Sequence, residues 1–495
     1  MDRLENLQFF RDFNDSLDLC YEMNNFEFEQ GECPPILKGR LKNNIDYWKS
    51  INANSFAVDV ISHGYKIPFV ENPSRVRLNN NKSALDNSDF VHTAISELLE
   101  NHSVVETPFI PHVVNPLSVS VQSSGKKRLI LDLRHVNLCV WKQKFKFEDW
   151  RALLDYVEKY YFLFSFDLKS GYHHIEILPE HQTFLGFSWT SGNTTKYYCF
   201  TVLPFGLTSA PFVFTKVLRP LVKFWRYNGV KIVLYLDYGC GTCQTLNGAK
   251  EHSNLVKTSL KNAGFVINSS KSNWDPCQSL LWLGLEWDLT LGRIKITDNR
   301  ISNFLVAVQS LLDKAPYVNA RDCATITGHV MSMSPVVGNL CRLKTRHLYK
   351  VIESRSNWYS RINIGIHNDA LEEIFYWKNN IVKLNSRFLF SYRVPQFLSF
   401  SDASNVGCGG FLKGNEGRVC YRMWTANERA KSSTWRELKA IQFCLLAFRS
   451  SLEGNIVKWH SDNQGAVSIL EVGSPKSELH AIAIDIFSFS VTLTT

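Results

Sequence analysis

Two apolar runs in this chain each end on an aspartate. The first, in F-S-F-D-L-K-S-G-Y-H-H, ends at Asp167; the second, in I-V-L-Y-L-D-Y-G, ends at Asp237, about 70 residues on. A carboxylate at the end of a buried strand is costly unless something pairs with it. Two such aspartates on adjacent strands could bind two divalent cations. Phosphoryl transfer uses such a pair: one ion lowers the pKa of an attacking hydroxyl and the other neutralises a leaving pyrophosphate. The plainer alternative is that each aspartate merely terminates a strand and opens a turn.

The chain has room for both strands in a sizeable core. Its 495 residues suggest about three domains. Hydrophobic residues make up 45% and charged residues 20%, an ordinary globular balance. A formal net charge of +9 is compatible with a polyanionic partner, and equally with solvated basic faces. The 12 cysteines are scattered, several inside apolar runs, so reduced thiols in an intracellular compartment are expected. Cys240 and Cys243 form one C-x-x-C, but no second pair follows at zinc spacing, which favours a strand end. The N-terminus is acidic and lacks the apolar core of a signal peptide. No run of 18 or more apolar residues occurs, so no membrane span is expected.

Residues 1–88 read as a loosely folded leader, ending near the Asn-rich stretch Arg75 to Asn87. Residues 89–290 mix strands and helices. Buried strands are expected at 129–133, 161–168, 197–203 and 231–237, and helices at 147–159 and 209–226. Residues 291–392 are helix-rich, with helices expected at 302–312 and 321–352. The latter carries a basic stretch of Arg342, Lys344, Arg346 and His347, suited to contact with a duplex backbone. From 393 to 495, a strand, a Gly-rich turn, more strands and a helix at 433–449 suggest a new α/β unit. Trp48, Trp150 and Trp225 read as packing anchors.

That last unit holds a second set of carboxylates. Asp402 ends the strand F-L-S-F-S-D, Glu437 lies in the helix W-R-E-L-K-A-I, and Asp462 follows a strand in H-S-D-N-Q-G. Two strand-end aspartates and a helix glutamate can form a two-metal hydrolytic cluster. Each alone is unremarkable, a lone helix glutamate being usually a solvated face.

With these motifs in order, the chain resembles the reverse transcriptases of retroelements. The leader segments G-R-L-K-N-N-I-D-Y-W-K (39–49) and G-Y-K-I-P-F (64–69) look most like the tyrosine-recombinase class called DIRS-type, with gypsy-like polymerases next. The resemblance implies an α+β right-hand polymerase (fingers, palm, thumb) followed by a partial ribonuclease H-like domain. It implies RNA-directed DNA synthesis on an RNA or DNA template-primer from deoxynucleoside triphosphates, and hydrolysis of an RNA–DNA hybrid. Two Mg²⁺ (or Mn²⁺) ions per active site are implied.

Residue by residue, Asp167 matches the first catalytic aspartate, and the Leu168 carbonyl would join the metal shell. Tyr172 matches the aromatic steric gate that excludes a ribose 2′-hydroxyl. L-P-F-G-L-T-S-A-P (203–211) matches the loop lining the incoming base pair, with Phe205 and Gly206 facing the nucleotide. Arg128 matches the fingers arginine that grips the triphosphate. Where the family has a further fingers lysine, this chain has Gln122 and Ser123, leaving Lys126 or Lys127 as substitutes. Lys271, in A-G-F-V-I-N-S-S-K-S, matches the lysine near the leaving phosphate, and L-W-L-G (281–284) the hairpin that grips the primer.

The chain departs from this pattern where the family reads Tyr-x-Asp-Asp. Here the sequence is Tyr235-Leu236-Asp237-Tyr238, so the second carboxylate is lost. Losing a comparable electrostatic group costs on the order of 100-fold in rate. A catalytically impaired, nucleic-acid-binding relic is therefore the alternative. Asp402, Glu437 and Asp462 match the ribonuclease H carboxylates. A fourth, expected in an Asn-x-x-Ala-Asp context, is not found before Thr495, and Asp485 lies at the wrong distance, so this domain is expected to be partial.

Overall fold

The computed structural model describes residues 35–121, 125, 127–390, 395–413 and 417–492. It divides into two compact units. One holds the chain up to Leu283 together with Asp288–Leu291, and the other holds Gly284–Trp287 and the chain from Gly292 onward.

In the first unit, the described part of the leader is folded rather than loose. Helices Ile45–Ser50 (α1) and Ser55–His63 (α2) bury Trp48, Val60 and Ile61 in the main core. The Asn54 side chain caps α2 by accepting from the Ala57 N–H. Trp48 Nε1 donates to the Ala263 carbonyl and Arg40 Nε to the Gly264 carbonyl, each at 3.0 Å. The leader is thus pinned from a segment more than 200 residues away. A short amphipathic pattern between polar stretches gave no sign of this in the sequence.

Helix Ser88–Glu100 (α3) follows, with Val91, Ala94, Ile95 and Leu98 on one face. Leu117–Val121 (β1) pairs antiparallel with Lys127–Leu131 (β2), placing Ser120 opposite Arg128. The helix expected at 147–159 is confined to Trp150–Leu154, and Tyr160 adopts φ +68° just before the next strand. That strand is Phe162–Asp167 (β3), followed by the hairpin Gly186–Ser191 (β4) and Thr194–Phe200 (β5).

Helix Ala210–Tyr227 (α4) has proline in its first turn, where no amide hydrogen is needed. Its apolar residues Val213, Phe214, Val217, Leu221 and Trp225 recur at helical spacing and are buried. Lys231–Tyr235 (β6) and Tyr238–Cys243 (β7) form a hairpin, and Leu246–Asn262 (α5) precedes Asn273–Cys277 (β8) and Ser279–Trp282 (β9).

The central sheet has the order β8-β3-β7-β6 and is antiparallel throughout. Gly239 and Gly241 on β7 lie under the rings of Phe166 and Phe164, where a Cβ would collide with them. Those two glycines let the aromatic side chains of β3 fold across the neighbouring strand. Cys240 and Cys243, an odd number of residues apart on β7, point to opposite faces of the sheet.

The helices of the second unit start with Asp298–Lys314 (α6) and Ala320–Ser332 (α7), the latter opened by a capping box between Asn319 and Asp322. The single helix expected at 321–352 is instead broken into α7, two one-turn pieces at Ser334–Val337 and Leu340–Leu343, and Arg346–Glu353 (α8). Pro335 and Gly338, which has φ +76°, make the breaks. The basic stretch is correspondingly not an open face. Of its four residues only Arg342 is exposed; Lys344 lies over the Tyr376 ring at 5.0 Å, and His347 is held by Glu373 of Asn368–Asn380 (α9).

A four-stranded sheet then forms from Phe397–Ala403 (β10), Gly407–Lys413 (β11), Arg418–Met423 (β12) and, beyond helix Ser433–Ala447 (α10), Val457–His460 (β13). Its order is β12-β11-β10-β13, antiparallel except for the parallel β10–β13 pair. Helices Gln464–Val472 (α11) and Ser477–Thr492 (α12) complete the unit. Among the described residues, no helix is long and apolar enough to cross a membrane.

Candidate active sites

The first site forms where β3 ends and the β6–β7 hairpin turns. Asp167 closes β3. Asp237 is not at a strand end as expected: it is the second residue of the two-residue turn Leu236-Asp237. Such tight turns favour positive φ at the first central residue. Leu236 supplies it at φ +53°, a region costing a non-glycine residue roughly 1–2 kcal/mol. Strain of this kind collects at functional sites, and here it aims Asp237 at the end of β3.

Backbone bonds fix the two aspartates together. The Leu168 N–H donates to the Asp237 carbonyl at 3.0 Å, and Tyr238 stands opposite Asp167 across the ladder. Both carboxylate residues are buried, at 5% and 7% exposure. The Asp167 N–H donates to the Ser272 hydroxyl at 3.1 Å, and that hydroxyl donates to the Asn268 carbonyl. Lys271 is therefore adjacent in sequence to a residue touching Asp167. Gly171 packs so closely that a Cβ there would lie 3.1 Å from the Asp237 Cβ and 2.6 Å from the Phe214 ring.

Tyr172 is buried and stacked on Phe205, with ring centroids 4.9 Å apart, and edge-on to Phe214 at 5.1 Å. Gly206 is exposed with φ +94°, and a Cβ would meet the Leu131 carbonyl at 3.1 Å. Arg128 is buried on β2. Lys127 is exposed beside it, while Gln122, Ser123 and Lys126 lie outside the described residues.

Two positioning residues escaped the sequence reading. Asn137 donates to the Gly206 carbonyl at 2.8 Å and accepts from the Thr208 N–H at 2.9 Å, clasping the 203–211 loop. His174 accepts from the Val266 N–H at Nε2, so its Nδ1 donates to the Gly171 carbonyl at 3.2 Å. Burial pushes its pKa down to about 3, which keeps the ring neutral and this bridge intact. Asn137 stood in the K-K-R-L-I-L-D-L-R-H-V-N run and His174 in S-G-Y-H-H, but neither motif indicates a partner 70 to 90 residues away.

Tyr238 follows Asp237 at the position where the resemblance implies a second carboxylate. It shares a sheet face with Asp167, but its hydroxyl turns to donate to the Leu281 carbonyl at 2.9 Å. Its ring sits 6.2 Å from that of Trp282. Burial, with nearby Cys240 and Asp167, raises its pKa, so it stays a neutral phenol. The side chain therefore links the hairpin to β9 and contributes no charge.

The second site lies on the sheet of the second unit. The parallel strands β10 and β13 bring Asp402 and Asp462 to the same end, and the first turns of α10 bring Glu437 beneath them. The ligand oxygens of Asp402, Glu437 and Asp462 lie within 4.8 Å of one another. The aspartates are exposed, whereas Glu437 is 4% exposed and its Oε2 has no hydrogen-bond partner among the described residues. Burial, then the charges of Asp402 and Asp462, raise the Glu437 pKa to about 7. An orphaned buried oxygen facing two carboxylates fits a bound cation. Asp485 stands apart, accepting from the Gln442 amide at 3.2 Å.

Residues 119–287 match the family described as reverse transcriptase (RNA-dependent DNA polymerase). The chain is 22% identical to the retrovirus-related Pol polyprotein from transposon 412 of Drosophila melanogaster, over 93% of this chain and 36% of that one. It is 24% identical to the corresponding polyprotein from transposon gypsy, over 38% and 20%, and 27% identical to the Pro-Pol polyprotein of feline foamy virus, over 36% and 14%. It spans about a third of the length of the transposon relatives it matches over most of its own. Among solved structures it is similar to the foamy viral protease-reverse transcriptase in complex with RNA/DNA hybrid, at 16% identity and TM-score 0.53, covering 94% of this chain and 63% of that one. The dRH form in complex with double-stranded DNA gives the same identity and score, covering 94% and 82%. The chain has an α+β polymerase fold, and its residues 119–287 match the reverse transcriptase family, with similarity to retrotransposon Pol polyproteins.

Proposed function

We propose that this chain is an RNA-directed DNA polymerase with an associated ribonuclease H-type activity, acting on a template-primer and deoxynucleoside triphosphates. The observation that carries the reading is the pairing of buried Asp167 and Asp237, joined through the Leu168–Asp237 backbone bond inside the matched segment. In this reading residues 89–290 are fingers and palm, 291–392 thumb and connection, and 393–495 a ribonuclease H-like domain, with a DIRS-type or gypsy-like origin.

Asp167, Asp237 and the Leu168 carbonyl would hold two Mg²⁺ or Mn²⁺ ions, which when bound supply an activated 3′-hydroxyl and charge neutralisation at the departing pyrophosphate. Tyr172, backed by Phe205 and Phe214, walls the sugar site. Phe205 and Gly206, clasped by Asn137, line the base-pair site. Arg128 and Lys271 are the candidate phosphate contacts. Asp402, Glu437 and Asp462 would hold the ions of the hybrid-cleaving site, whose buried glutamate gains a partner when a cation is present.

The neutral, hydrogen-bonded Tyr238 favours a second reading, a slow or impaired polymerase that still binds nucleic acid. Primer extension on an RNA template and cleavage of an RNA–DNA hybrid test both. Asp167→Asn is expected to lower extension by about 100-fold or more while leaving hybrid cleavage intact. Asp402→Asn should do the reverse. Extension that survives Asp167→Asn unchanged would remove the polymerase assignment.

A further inference from the structure

A third cluster of potential ligands lies in the second unit, away from its carboxylate site. His347 on α8, Glu373 on α9 and His480 on α12 bring one ligand atom each to within 4.8 Å of one another. The His347 Nδ1 is 3.0 Å from Glu373 Oε1, and its Nε2 is 3.4 Å from Asp369 Oδ2. The rings of His347 and His480 meet edge-on, with centroids 5.2 Å apart.

Glu373 has an evident structural role. Its two oxygens accept from the His347 and Leu348 backbone N–H groups at 3.0 and 2.9 Å, capping α8. That role accounts for Glu373 and for His347. It leaves His480 unexplained. This histidine is 1% exposed, and neither ring nitrogen has a hydrogen-bond partner among the described residues. A buried imidazole normally satisfies at least one nitrogen. Gly473 leaves the space its ring needs, because a Cβ there would lie 3.0 Å from His480 Nδ1.

We propose that His347, Glu373 and His480 form a binding site for one divalent cation of the zinc class, with Asp369 or water completing the shell. Two imidazoles and a carboxylate suit a borderline-soft ion, whereas Mg²⁺ prefers oxygen ligands. His480 is kept unprotonated, the form that ligates: burial first, then His347, Arg346, Lys350 and Lys344, push its pKa down to about 4. The same cations repel an incoming ion, so the affinity falls below that of a closed four-ligand site. Binding replaces the His347–Glu373 hydrogen bond. A bound ion would staple the first turn of α12 to α8 and α9, at the point where Lys350 already donates to the Ser477 hydroxyl.

The full chain, stripped with chelator and dialysed against Zn²⁺ in millimolar Mg²⁺, tests this. About one zinc per chain should remain, and it should raise the melting temperature where added Mg²⁺ does not. His480→Asn should weaken zinc binding by about tenfold or more. Co²⁺ on the unmodified chain needs no variant to fold. It should give the intense visible absorption of a four- or five-coordinate ion, without the near-ultraviolet band of thiolate ligation. Zinc retained in full by a folded His480→Asn chain, a thiolate band, or only weak six-coordinate absorption would each overturn the proposal.

Discussion

The two carboxylate sites are built by opposite means. In the first unit, Asp167 and Asp237 are held by backbone: a ladder position, a tight turn with Leu236 at positive φ, and an amide donating across it. In the second, Asp402, Glu437 and Asp462 come from two parallel strands and a helix, and side-chain contacts set their relation: Glu437 is hydrogen-bonded to Asp402 and to the Ala403 backbone. The frame of the first site does not depend on the side chain at position 238. Tyr238 fits the ladder and finds its own partner at Leu281. The second brings its three carboxylates together through side chains, and the buried Glu437 Oε2 has no hydrogen-bond partner among the described residues.

Restoring the carboxylate at position 238 is the largest test of this contrast. Tyr238→Asp should raise primer extension by about 10- to 100-fold, because charge returns beside Asp167. It should also lower stability by on the order of 1 kcal/mol, since the phenol–Leu281 bond is lost. An unchanged rate would mean that the tyrosine is not the limiting defect.

The pH dependence of stability should separate the sites next. A Glu437 pKa raised to about 7 means that the folded state binds more protons than the unfolded state between about 4.5 and 7. Its favourable contribution is therefore full below that window and lost as pH rises through 7. Without divalent ions, Glu437→Gln should stabilise the chain by on the order of 1–2 kcal/mol at pH 8 and hardly at all at pH 4. The buried His174, with a pKa near 3, gives the opposite slope: stability is present above 6.5 and declines as pH falls toward 3. Thermal melts across pH 4–8 would read both slopes. A Glu437→Gln gain that is the same at both ends of the range would refute the burial argument.

The smallest effect concerns the loop beside the first site. Asn137→Ala removes two hydrogen bonds to the 206–208 backbone and should cost about 1 kcal/mol in stability. It should raise the KM for nucleotide more than it lowers kcat. A change in kcat alone would place Asn137 elsewhere in the mechanism.

The parts legible in the sequence are those signalled by local pattern. Long apolar runs gave the strands at 162–167 and 231–235, and helical spacing gave 210–227, because burial on a fixed period leaves a readable trace. Asp402, Glu437 and Asp462, singled out in the sequence from the strands and helix around them, come within 4.8 Å of one another. What was not legible depends on distant partners. The Ser272 hydroxyl under Asp167, the His174 bridge to Val266 and the Asn137 clasp span 105, 92 and 69 residues. The broken helix at 334–343 shows a different failure. Its apolar period continued through Pro335 and Gly338, whose backbone preferences overrode it.

The pinning of Trp48 to Ala263 bears on how the chain is made. Helix α1 emerges with an indole whose docking surface, at Ala263, lies 215 residues later. At roughly 5–20 residues per second, that surface takes about 10–40 s to appear. Throughout that interval the Trp48 indole lacks its Ala263 partner. Helix α1 is thus among the later parts to settle, and a ribosome-associated chaperone has a defined window in which to hold it.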